Sequence, residues 1–340
     1  MKDNILVTGG AGYIGAHVAK CLSKNGLLPV TFDNLSSGNK GHVQWGPLEE
    51  GDIRDRARLA EVIKKYDIKS VIHLAALIQV AESVANPAKY YDNNVYGSLC
   101  LLEEARSHGI KHFVFSSTAA VYGMPHSKII SEDHPLSPIN PYGQTKLATE
   151  NMIRDYSSAY GMSHAILRYF NAAGADVDTE IGTAYKEDTH IIPLLMRVAS
   201  GDMPEIKVFG TDYNSADGTA VRDYIHVQDL AEAHVLALSR IREKNMNLTL
   251  NLGTSKGYTV QEVVNTARHI TKRPIPSRTG ERRPGDPAVL VANALRAQNI
   301  LNWRPARSDL NTIISTAWEW RQKQKSLSPA NSEVEYLKSC

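Results

Sequence analysis

Three side chains in the sequence could together move a proton on and off an alcohol. Tyr142 and Lys146 stand four residues apart in the stretch PYGQTK, directly after Asn140. Residues at i and i+4 of a helix are neighbours, with Cβ atoms ~5–6 Å apart. Thr118, the last residue of the segment SST, offers a hydroxyl that can hydrogen-bond a reacting oxygen. The three residue types suit acid–base chemistry on a hydroxyl group.

The lysine matters because a phenol is a weak base at neutral pH. Its ordinary pKa is about 10, and bringing it near 7 takes about 4 kcal/mol. One cation at ~4 Å supplies roughly that much at an effective dielectric constant near 20. We therefore expect Lys146, with any further positive group nearby, to lower the pKa of Tyr142.

A glycine-rich turn stands between a predicted strand and a predicted helix near the start of the chain. Gly9, Gly12 and Gly15 are spaced three apart, where small residues let the backbone approach a pyrophosphate at a helix N-terminus. Asp33 ends the next predicted strand. A carboxylate there can accept hydrogen bonds from the ribose hydroxyls of adenosine and would repel a 2′-phosphate. The sequence therefore predicts an NAD site rather than an NADP site.

These residues need a scaffold, and the first ~170 residues alternate apolar runs with helical stretches. Such alternation predicts an α/β fold, a Rossmann-type doubly wound parallel sheet covered on both faces. Helices are expected at Tyr13–Asn25, from Asn86 and from Pro141. The expected strands are Asn4–Thr8, Pro29–Phe32, Ser70–Ala75, His112–Ser116 and Ala165–Phe170.

Beyond Asn171 the pattern becomes irregular before helices return, which is typical of functional loops in a second unit. The later helices are expected at Val227–Ser239, Thr259–Thr271, Asn293–Leu301 and Ser308–Gln324. We predict an NAD-binding Rossmann domain at 1–175 and a smaller mixed α/β substrate-binding domain, mainly 176–325. Segments around 222–255 are expected to return to the first domain, and 326–340 to form a tail.

Composition excludes several classes of function. The 340 residues carry a net charge of +2 with no basic block, which argues against a nucleic-acid partner. The three cysteines lie far apart and form no metal or disulfide pattern. No apolar run approaches the roughly 20 residues that span a bilayer, and no signal peptide fits. We expect a cytoplasmic protein with no membrane or nucleic-acid partner and no metal.

Together the glycine spacing, Asp33, the SST segment and the Tyr–x–x–x–Lys pair resemble the extended short-chain dehydrogenase/reductase superfamily. In that superfamily the tyrosine is the acid/base, the lysine binds the ribose and lowers the tyrosine pKa, and the serine or threonine bonds the reacting oxygen. The resemblance implies these catalytic roles for Tyr142, Lys146 and Thr118. The positive ring of oxidised nicotinamide would add to the effect of Lys146.

Residues 119 and 120 narrow the reaction. Relatives that dehydrate or decarboxylate nucleotide sugars carry acids at the places of Ala119 or Ala120, and alanine cannot exchange a proton. Hydride transfer alone suits oxidoreduction or epimerisation. From about residue 4 to 320, the chain resembles the UDP-glucose 4-epimerase family, in segments such as YYDNNVYG (90–97), LRYFNAAGA (167–175), VRDYIHVQDLA (221–231) and RRPGDP (282–287). This implies UDP-glucose/UDP-galactose interconversion through a 4-keto intermediate, with tightly bound NAD and a homodimer.

The resemblance also assigns binding residues. Those implied for NAD, besides the catalytic three, are Gly9, Gly12, Tyr13, Ile14, Gly15, Asp33, Asn34, Ser36, Ser37, Gly38, Asp52, Ile53, Leu74, Ala75, Ala76, Asn93 and Tyr169. Those implied for the substrate, besides Thr118 and Tyr142, are Asn171, His190, Phe209, Arg222, Arg283, Asp286 and Val289. Guanidinium groups fit a diphosphate. From the sequence alone, Asp52 is explained nearly as well as a loop acid.

Departures from the family leave the substrate open. Ile78 replaces a lysine of some members, and His190 replaces an asparagine that contacts substrate in many. Val289 matches the residue that gates the sugar pocket, where a large aromatic side chain excludes N-acetyl sugars. UDP-N-acetylglucosamine and UDP-xylose therefore remain alternatives. A non-catalytic NAD-binding regulator is a further alternative, although such proteins often lose the tyrosine or the lysine. By resemblance, the helices at 86–107 and 141–160 form the dimer face.

Overall fold

The computed structural model describes residues 3–183, 189–283 and 285–327. Its strands are β1 (Asn4–Thr8), β2 (Leu28–Asp33), β3 (Leu48–Glu50), β4 (Ser70–His73), β5 (His112–Thr118), β6 (Ile129–Ile130), β7 (Ser163–Tyr169), β8 (Asn171–Ala173), β9 (Ile206–Phe209), β10 (Val221–Arg222), β11 (Tyr224–His226), β12 (Leu248–Leu252), β13 (Tyr258–Thr259), β14 (Ser277–Gly280) and β15 (Val289–Ala292).

The α-helices in the same residues are α1 (Tyr13–Lys24), α2 (Arg56–Lys65), α3 (Val80–Ala85), α4 (Pro87–Tyr90), α5 (Gly97–Ser107), α6 (Pro141–Tyr160), α7 (Ile191–Ala199), α8 (Val227–Lys244), α9 (Val260–Thr271), α10 (Leu295–Leu301) and α11 (Leu310–Ser326). Short 3-10 helices lie at Lys40–His42 and Ala119–Tyr122, and a π-helical stretch at Tyr91–Tyr96 joins α4 to α5. None of these helices is long and apolar enough to cross a bilayer. Most of the predicted tail, residues 328–340, lies outside the described residues.

A seven-stranded sheet with the order β3–β2–β1–β4–β5–β7–β12 forms the centre of the fold. Every neighbouring pair in it is parallel. Ile5 and Val7 of β1 point into one hydrophobic core, whereas Leu6 points into the other. The predicted doubly wound sheet, buried on both faces, is confirmed. The chain leaves β1 toward β2 on one side and β4 lies on the other, so a crevice opens at the carboxyl ends of these strands.

Helices cover both faces of this sheet. The core on one face includes apolar residues of α1, α8 and α10, and the core on the other includes residues of α2, α5 and α6. Because α8 packs on α1 and β12 pairs with β7, residues 227–252 belong physically to the seven-stranded unit. The boundaries at 175 and 325 remain predictions.

The rest of the chain forms a smaller unit beside the crevice. It contains a four-stranded sheet in the order β13–β10–β15–β6 and the pair β9–β14. Helices α7, α9 and α11 surround a core that includes Leu195, Val263 and Ile313. The region after Asn171, read as irregular from its sequence, contains the short parallel pair β8–β11. The sequence pattern did not predict these strands, because each has only three residues and lies next to polar, irregular sequence.

Two of the predicted elements differ from the structure where they border the crevice. The strand predicted as Ser70–Ala75 ends at His73, so residues 74–76 leave the sheet and run along the crevice. The helix predicted from Asn86 does begin there, with the Asn86 side chain accepting from the Lys89 N–H at 3.3 Å. It then widens into the π-helical stretch before α5, and such stretches often occur at functional sites.

Candidate active site

A cavity of about 1380 Å³ fills the crevice between the two units. Most of the residues predicted for binding or catalysis line it. They are Gly9, Gly12, Tyr13, Ile14, Gly15, Asp33, Asn34, Ser36, Ser37, Ile53, Leu74, Ala75, Ala76, Asn93, Thr118, Tyr142, Tyr169, Asn171, His190, Arg283 and Asp286. The predicted residues that do not line it are Gly38, Asp52, Lys146, Phe209, Arg222 and Val289.

The glycine turn has no room for side chains. A Cβ on Gly15 would lie 2.1 Å from the Gly9 carbonyl oxygen, and a Cβ on Gly9 would lie 2.6 Å from the Ala75 nitrogen. Gly9 also has φ of +71°, which favours glycine. Gly12 caps α1 without a side-chain hydrogen bond, and the first residues of the helix, Tyr13, Ile14 and Gly15, line the cavity wall. The backbone of this turn could hold the phosphates of a dinucleotide.

Asp33 is fixed at the end of β2 by backbone donors. One carboxylate oxygen accepts from the Ala11 N–H at 3.0 Å and the other from the Leu35 N–H at 2.8 Å. Burial raises the pKa of Asp33, and these two hydrogen bonds oppose that rise. Gly38 keeps off the cavity wall and packs on Asp33 instead, since a Cβ there would lie 2.8 Å from its oxygen Oδ1. The Asp33 carboxylate thus faces the cavity at the end of β2, the strand next to β1, which the glycine turn follows.

The predicted adenine wall is present in part. Ile53 lines the cavity and is 5% exposed. Asp52 instead faces Arg54 at 2.7 Å and accepts from Asn34 Nδ2 at 3.0 Å. The Arg54 guanidinium holds the pKa of Asp52 well below its usual range. Asp52 therefore orders Asn34, which lines the cavity, while its own carboxylate is occupied.

The acid–base residues meet where α6 begins beside the end of β5. Asn140 caps α6 by accepting from the Gly143 N–H at 2.9 Å, and Pro141 occupies the first turn, as its sequence favours. This cap turns Tyr142 toward Thr118, whose hydroxyl hydrogen-bonds the tyrosine and so counters part of its pKa rise. Both residues line the cavity and are 9% exposed. A substrate hydroxyl could reach both.

Lys146 lies one helical turn behind Tyr142. Its Nζ donates to the Ser116 carbonyl oxygen at 2.8 Å and lies 4.7 Å from the centre of the Phe115 ring. Burial lowers its pKa to about 7, against the attraction of Glu150. The Lys146 ammonium is therefore held close to the cavity, and it can lose its proton near neutral pH.

The expected lowering of the Tyr142 pKa does not occur in the protein chain itself. Burial raises it to about 12, and Lys146 is not among the groups that oppose this rise. The attraction of a cation would lower this pKa, but burial also removes both partners from water, and that desolvation opposes the charged form of each. A phenolate at this position needs a further positive charge in the cavity.

On the opposite wall, the predicted substrate residues form a connected group. Arg222 pairs with Asp286, and the Asp286 N–H donates to the Arg283 carbonyl oxygen at 3.2 Å. The Arg283 guanidinium stacks over Phe209, 4.1 Å from the ring centre. Arg222 and Phe209 thus stand behind Asp286 and Arg283, which face the cavity. Asn171 also lines it and donates to the Asp223 carbonyl oxygen at 2.9 Å.

Val289, the predicted gate residue, belongs to β15 beside the cavity. Val289 does not line the cavity, whereas its neighbour Leu290 does. Successive side chains of a strand point to opposite sides, and in β15 the even position faces the cavity. Ala119 and Ala120 lie on the same cavity wall as Thr118, so no acid takes their place there. Ile78 lines the cavity as an apolar residue.

Asn94 was missed in the sequence. It sits in the π-helical stretch beside Asn93, exchanges hydrogen bonds of 2.8 and 3.0 Å with the Leu77 backbone, and donates to Thr145 at 3.1 Å. It therefore fastens the segment at 74–77 to α6, the helix of the acid–base pair. The paired asparagines in YYDNNVYG were the available signal, because a buried amide requires partners.

A cluster of three acidic side chains beside α1 is already paired with a lysine. Among described residues, the only cluster with metal-ligand geometry is Asp176, Asp178 and Glu180. The ammonium of Lys20 lies 2.6, 2.9 and 2.6 Å from their oxygens. The cluster is thus an ion-pair network that joins α1 to the segment after β8.

With this geometry in place, comparison with known proteins is informative. Residues 5–253 match the model of the NAD dependent epimerase/dehydratase family. The chain belongs to that family. It is 49% identical to a UDP-glucose 4-epimerase of Rhizobium meliloti (strain 1021), over 95% of this chain and 98% of the relative.

Solved structures agree with this assignment. The crystal structure of UDP-glucose 4-epimerase from Brucella ovis in complex with NAD has a TM-score of 0.91 and 48% identity, covering 93% of this chain and 98% of that one. The enzyme from Bifidobacterium longum, in complex with NAD+ and UDP, has a TM-score of 0.90 and 37% identity, covering 95% and 99%. At these sequence identities the similarity is one of sequence as well as of fold, and it therefore supports the chemistry of the family.

Proposed function

We propose that the protein is an isomerase that interconverts UDP-glucose and UDP-galactose by NAD-dependent 4-epimerisation. One observation carries this proposal: Tyr142 and Thr118 share a single cavity with the glycine turn at one end and Arg283 with Asp286 at the other. The cavity thus offers an acid–base pair between a dinucleotide cradle and a cationic site suited to a nucleoside diphosphate. Family membership and the near-full-length relatives support it.

The dinucleotide end fits NAD. The N-terminus of α1 would hold its diphosphate, and Asp33 would accept from the adenosine ribose. Bound NAD+ would supply a hydride acceptor for the sugar C4 and a positive charge in the cavity that Tyr142 lines. That charge is what the tyrosine lacks, since burial alone raises its pKa to about 12.

The chain's own residues handle the proton of the 4-hydroxyl. Tyr142 takes it as general base and returns it when the hydroxyl re-forms, while Thr118 hydrogen-bonds the same oxygen. Lys146 supports both tasks by holding a positive charge near the tyrosine and the nicotinamide ribose. Because Ala119 and Ala120 cannot exchange protons, these two positions supply no acid that would promote elimination from the 4-keto intermediate.

Epimerisation also requires that the ketone present its other face. Arg222, Arg283 and Asp286 would anchor the nucleotide, with Phe209 stacked behind the guanidinium. The sugar at the other end would then be free to turn about its bonds to the diphosphate. The polar residues on one wall would hold the nucleotide, whereas the alanines on the other wall would hold the sugar only loosely. This arrangement is consistent with a sugar that turns while the nucleotide stays bound.

A coupled assay with UDP-galactose tests the proposal. The purified protein should form UDP-glucose, and Tyr142→Phe should lose turnover by a factor of at least about 10² while keeping bound NAD. Near-normal turnover of that variant would refute the role of Tyr142. Absence of turnover in the wild-type protein, with NAD bound, would instead favour the non-catalytic regulator. A panel with UDP-N-acetylglucosamine and UDP-xylose would separate the substrates.

UDP-N-acetylglucosamine is the second candidate substrate because of Leu290. A leucine at the cavity wall occupies less space than an aromatic side chain and leaves room for an N-acetyl group. The proposal about the gate thus moves from Val289 to Leu290. Turnover of both hexose and N-acetylhexosamine substrates would agree with it.

We also propose a homodimer, formed through the helices at 86–107 and 141–160. Large side chains on these segments stay exposed, including Tyr96 at 50%, Leu99 at 36% and Tyr160 at 49%. Light scattering should give about twice the chain mass of 37.5 kDa. A monomer would remove this proposal. The expected cytoplasmic location stays a prediction.

A further inference from the structure

Behind Lys146 lies a buried charged network that the proposed reaction has not used. Glu150 follows Lys146 by four residues on α6 and is 0% exposed. Its oxygen Oε1 accepts from Ser117 Oγ at 2.6 Å and from Arg168 Nε at 2.9 Å. Its oxygen Oε2 accepts from Arg168 Nη2 at 2.6 Å and from Arg154 at 2.8 Å. Four hydrogen bonds thus fix one carboxylate in the core.

The same strand, β5, holds the two buried charged side chains of α6. The Ser116 carbonyl accepts from Lys146, and the hydroxyl of the next residue, Ser117, donates to Glu150. One residue further, β5 ends in Thr118. Lys146, Glu150 and the catalytic hydroxyl are therefore set by three consecutive residues of β5. A shift of Glu150 would move the helix that carries Lys146 relative to Thr118.

Glu150 is also the negative charge that acts on Lys146. Two buried histidines nearby are neutral near pH 7, because burial lowers the pKa of His73, which interacts with Lys146, to about 3, and the pKa of His234, whose Nε2 lies 2.7 Å from Ser116 Oγ, to about 4. Burial raises that of Tyr142 to about 12. In the described part of the chain, Glu150 is the only charged group that raises the pKa of Lys146.

Arg168 keeps this carboxylate ionised. Burial by itself would raise the pKa of Glu150, but the two hydrogen bonds and the charge of Arg168 lower it overall. Arg168 is 1% exposed and stacks on Tyr122, with its guanidinium carbon 5.1 Å from the ring centre. The pair is bidentate, the geometry in which a carboxylate is held most firmly. Removing either partner would leave the other charge buried.

We propose that Glu150, held by Arg168 and Ser117, is a positioning residue that keeps the Lys146 ammonium charged and fixed beside the catalytic tyrosine. The assignment of a catalytic task to Lys146 rests on the proposed function. The electrostatic link between Glu150 and Lys146 does not, because it is a property of the folded chain. The two statements can therefore be tested apart.

The direct test is an NMR titration of Lys146 in the full-length protein with its NAD bound. Protein grown on ¹³C-lysine would report the ¹³Cε shift of Lys146, assigned by its absence in K146M. The midpoint should fall by about 1 pH unit or more in E150Q, because a unit charge one helical turn away has been removed. E150D, which keeps the charge, should restore most of the shift.

Arg154 supplies the matched control. It also bonds Glu150, but its side chain is 35% exposed and positively charged. R154M should leave the Lys146 midpoint unchanged or raise it, whereas E150Q should lower it. If E150Q does not fold, E150Q/R168M removes both buried charges, and its midpoint should also lie below that of the wild-type protein.

A second readout connects the network to turnover. If Lys146 must be charged, the alkaline limb of the kcat profile should move to lower pH in E150Q by the same shift as the NMR midpoint. A purely structural role would lower kcat without moving the limb. Coincident Lys146 titrations in E150Q and wild type would overturn the proposal. Absence of any UDP-sugar turnover in the wild-type protein would overturn the proposed function and leave the titration result standing.

Discussion

Replacing Asp33 by alanine should separate the dinucleotide site from the rest of the fold. The carboxylate accepts from the Ala11 N–H at 3.0 Å and the Leu35 N–H at 2.8 Å, and it faces the cavity. Ala11 is fully buried, so its N–H would lose its partner with little access to water. Leu35 is only half-buried in the loop, where water can replace the lost acceptor.

The magnitudes follow from these contacts. Leaving one buried donor unsatisfied should lower the free energy of unfolding by about 1–3 kcal/mol. Loss of a charged acceptor for the ribose hydroxyls should cost about 1.5–3 kcal/mol of NAD binding. At about 1.4 kcal/mol per tenfold, NAD affinity should fall by roughly 10- to 150-fold. Discrimination against NADP should shrink as well, because the repelling charge has gone.

The assay is the NAD content of purified protein, followed by calorimetric titration of the stripped protein with NAD and with NADP. Glu50→Ala is the matched control. Glu50 stands directly opposite Asp33 in the β2–β3 register, but it points to solvent and pairs with Lys40 at 3.1 Å. Its removal should leave NAD affinity unchanged. Equal NAD affinity in Asp33→Ala and the wild-type protein would refute the assignment of Asp33 to the ribose.

Three further predictions concern the turn, the gate and pH. Gly15→Ala should strip NAD from the purified protein, because the new Cβ would lie 2.1 Å from a backbone oxygen; full NAD content would contradict this. Leu290→Tyr should abolish any UDP-N-acetylglucosamine turnover and spare that of UDP-galactose, while Val289→Tyr should not discriminate; the reverse pattern would restore Val289 as the gate. Burial lowers the pKa of His73 to about 3 and of His234 to about 4. The unfolded chain, with pKa near 6.5, binds their protons more readily, so the stability present above about pH 6.5 should be lost toward about pH 4, by up to about 1.4 kcal/mol per pH unit for each histidine. Urea unfolding at roughly pH 7.5 and pH 5 would measure this, and equal stabilities would contradict it.

Local sequence patterns correctly predicted the features that depend only on residues close together in the chain. The glycine turn, Asp33 at the end of β2 and the cap before Tyr142 each need only a few adjacent residues of the right type. The parallel sheet followed from continuous apolar runs, since strands covered on both faces show no alternation. These elements lie where the sequence placed them, to within a few residues.

Features set by distant partners were harder to predict. Whether Val289 or Leu290 faces the cavity depends on the pairing of β15 with β10 and β6, which lie far away in the chain. The Asp52 carboxylate is occupied by a salt bridge with Arg54, which the sequence argument did not foresee. The pKa values of Tyr142 and Lys146 depend on burial, which becomes known only when the whole core is assembled.

The most direct test of the account is epimerisation in D₂O followed by proton NMR. If hydride leaves C4 and returns to the same sugar, UDP-galactose should give UDP-glucose that carries protium, without deuterium, at C4. Tyr142→Phe, with its NAD still bound, should give no product in the same tube. Deuterium at C4 of the product would contradict a hydride held within the cavity, and unchanged turnover by Tyr142→Phe would contradict the acid–base role at its centre.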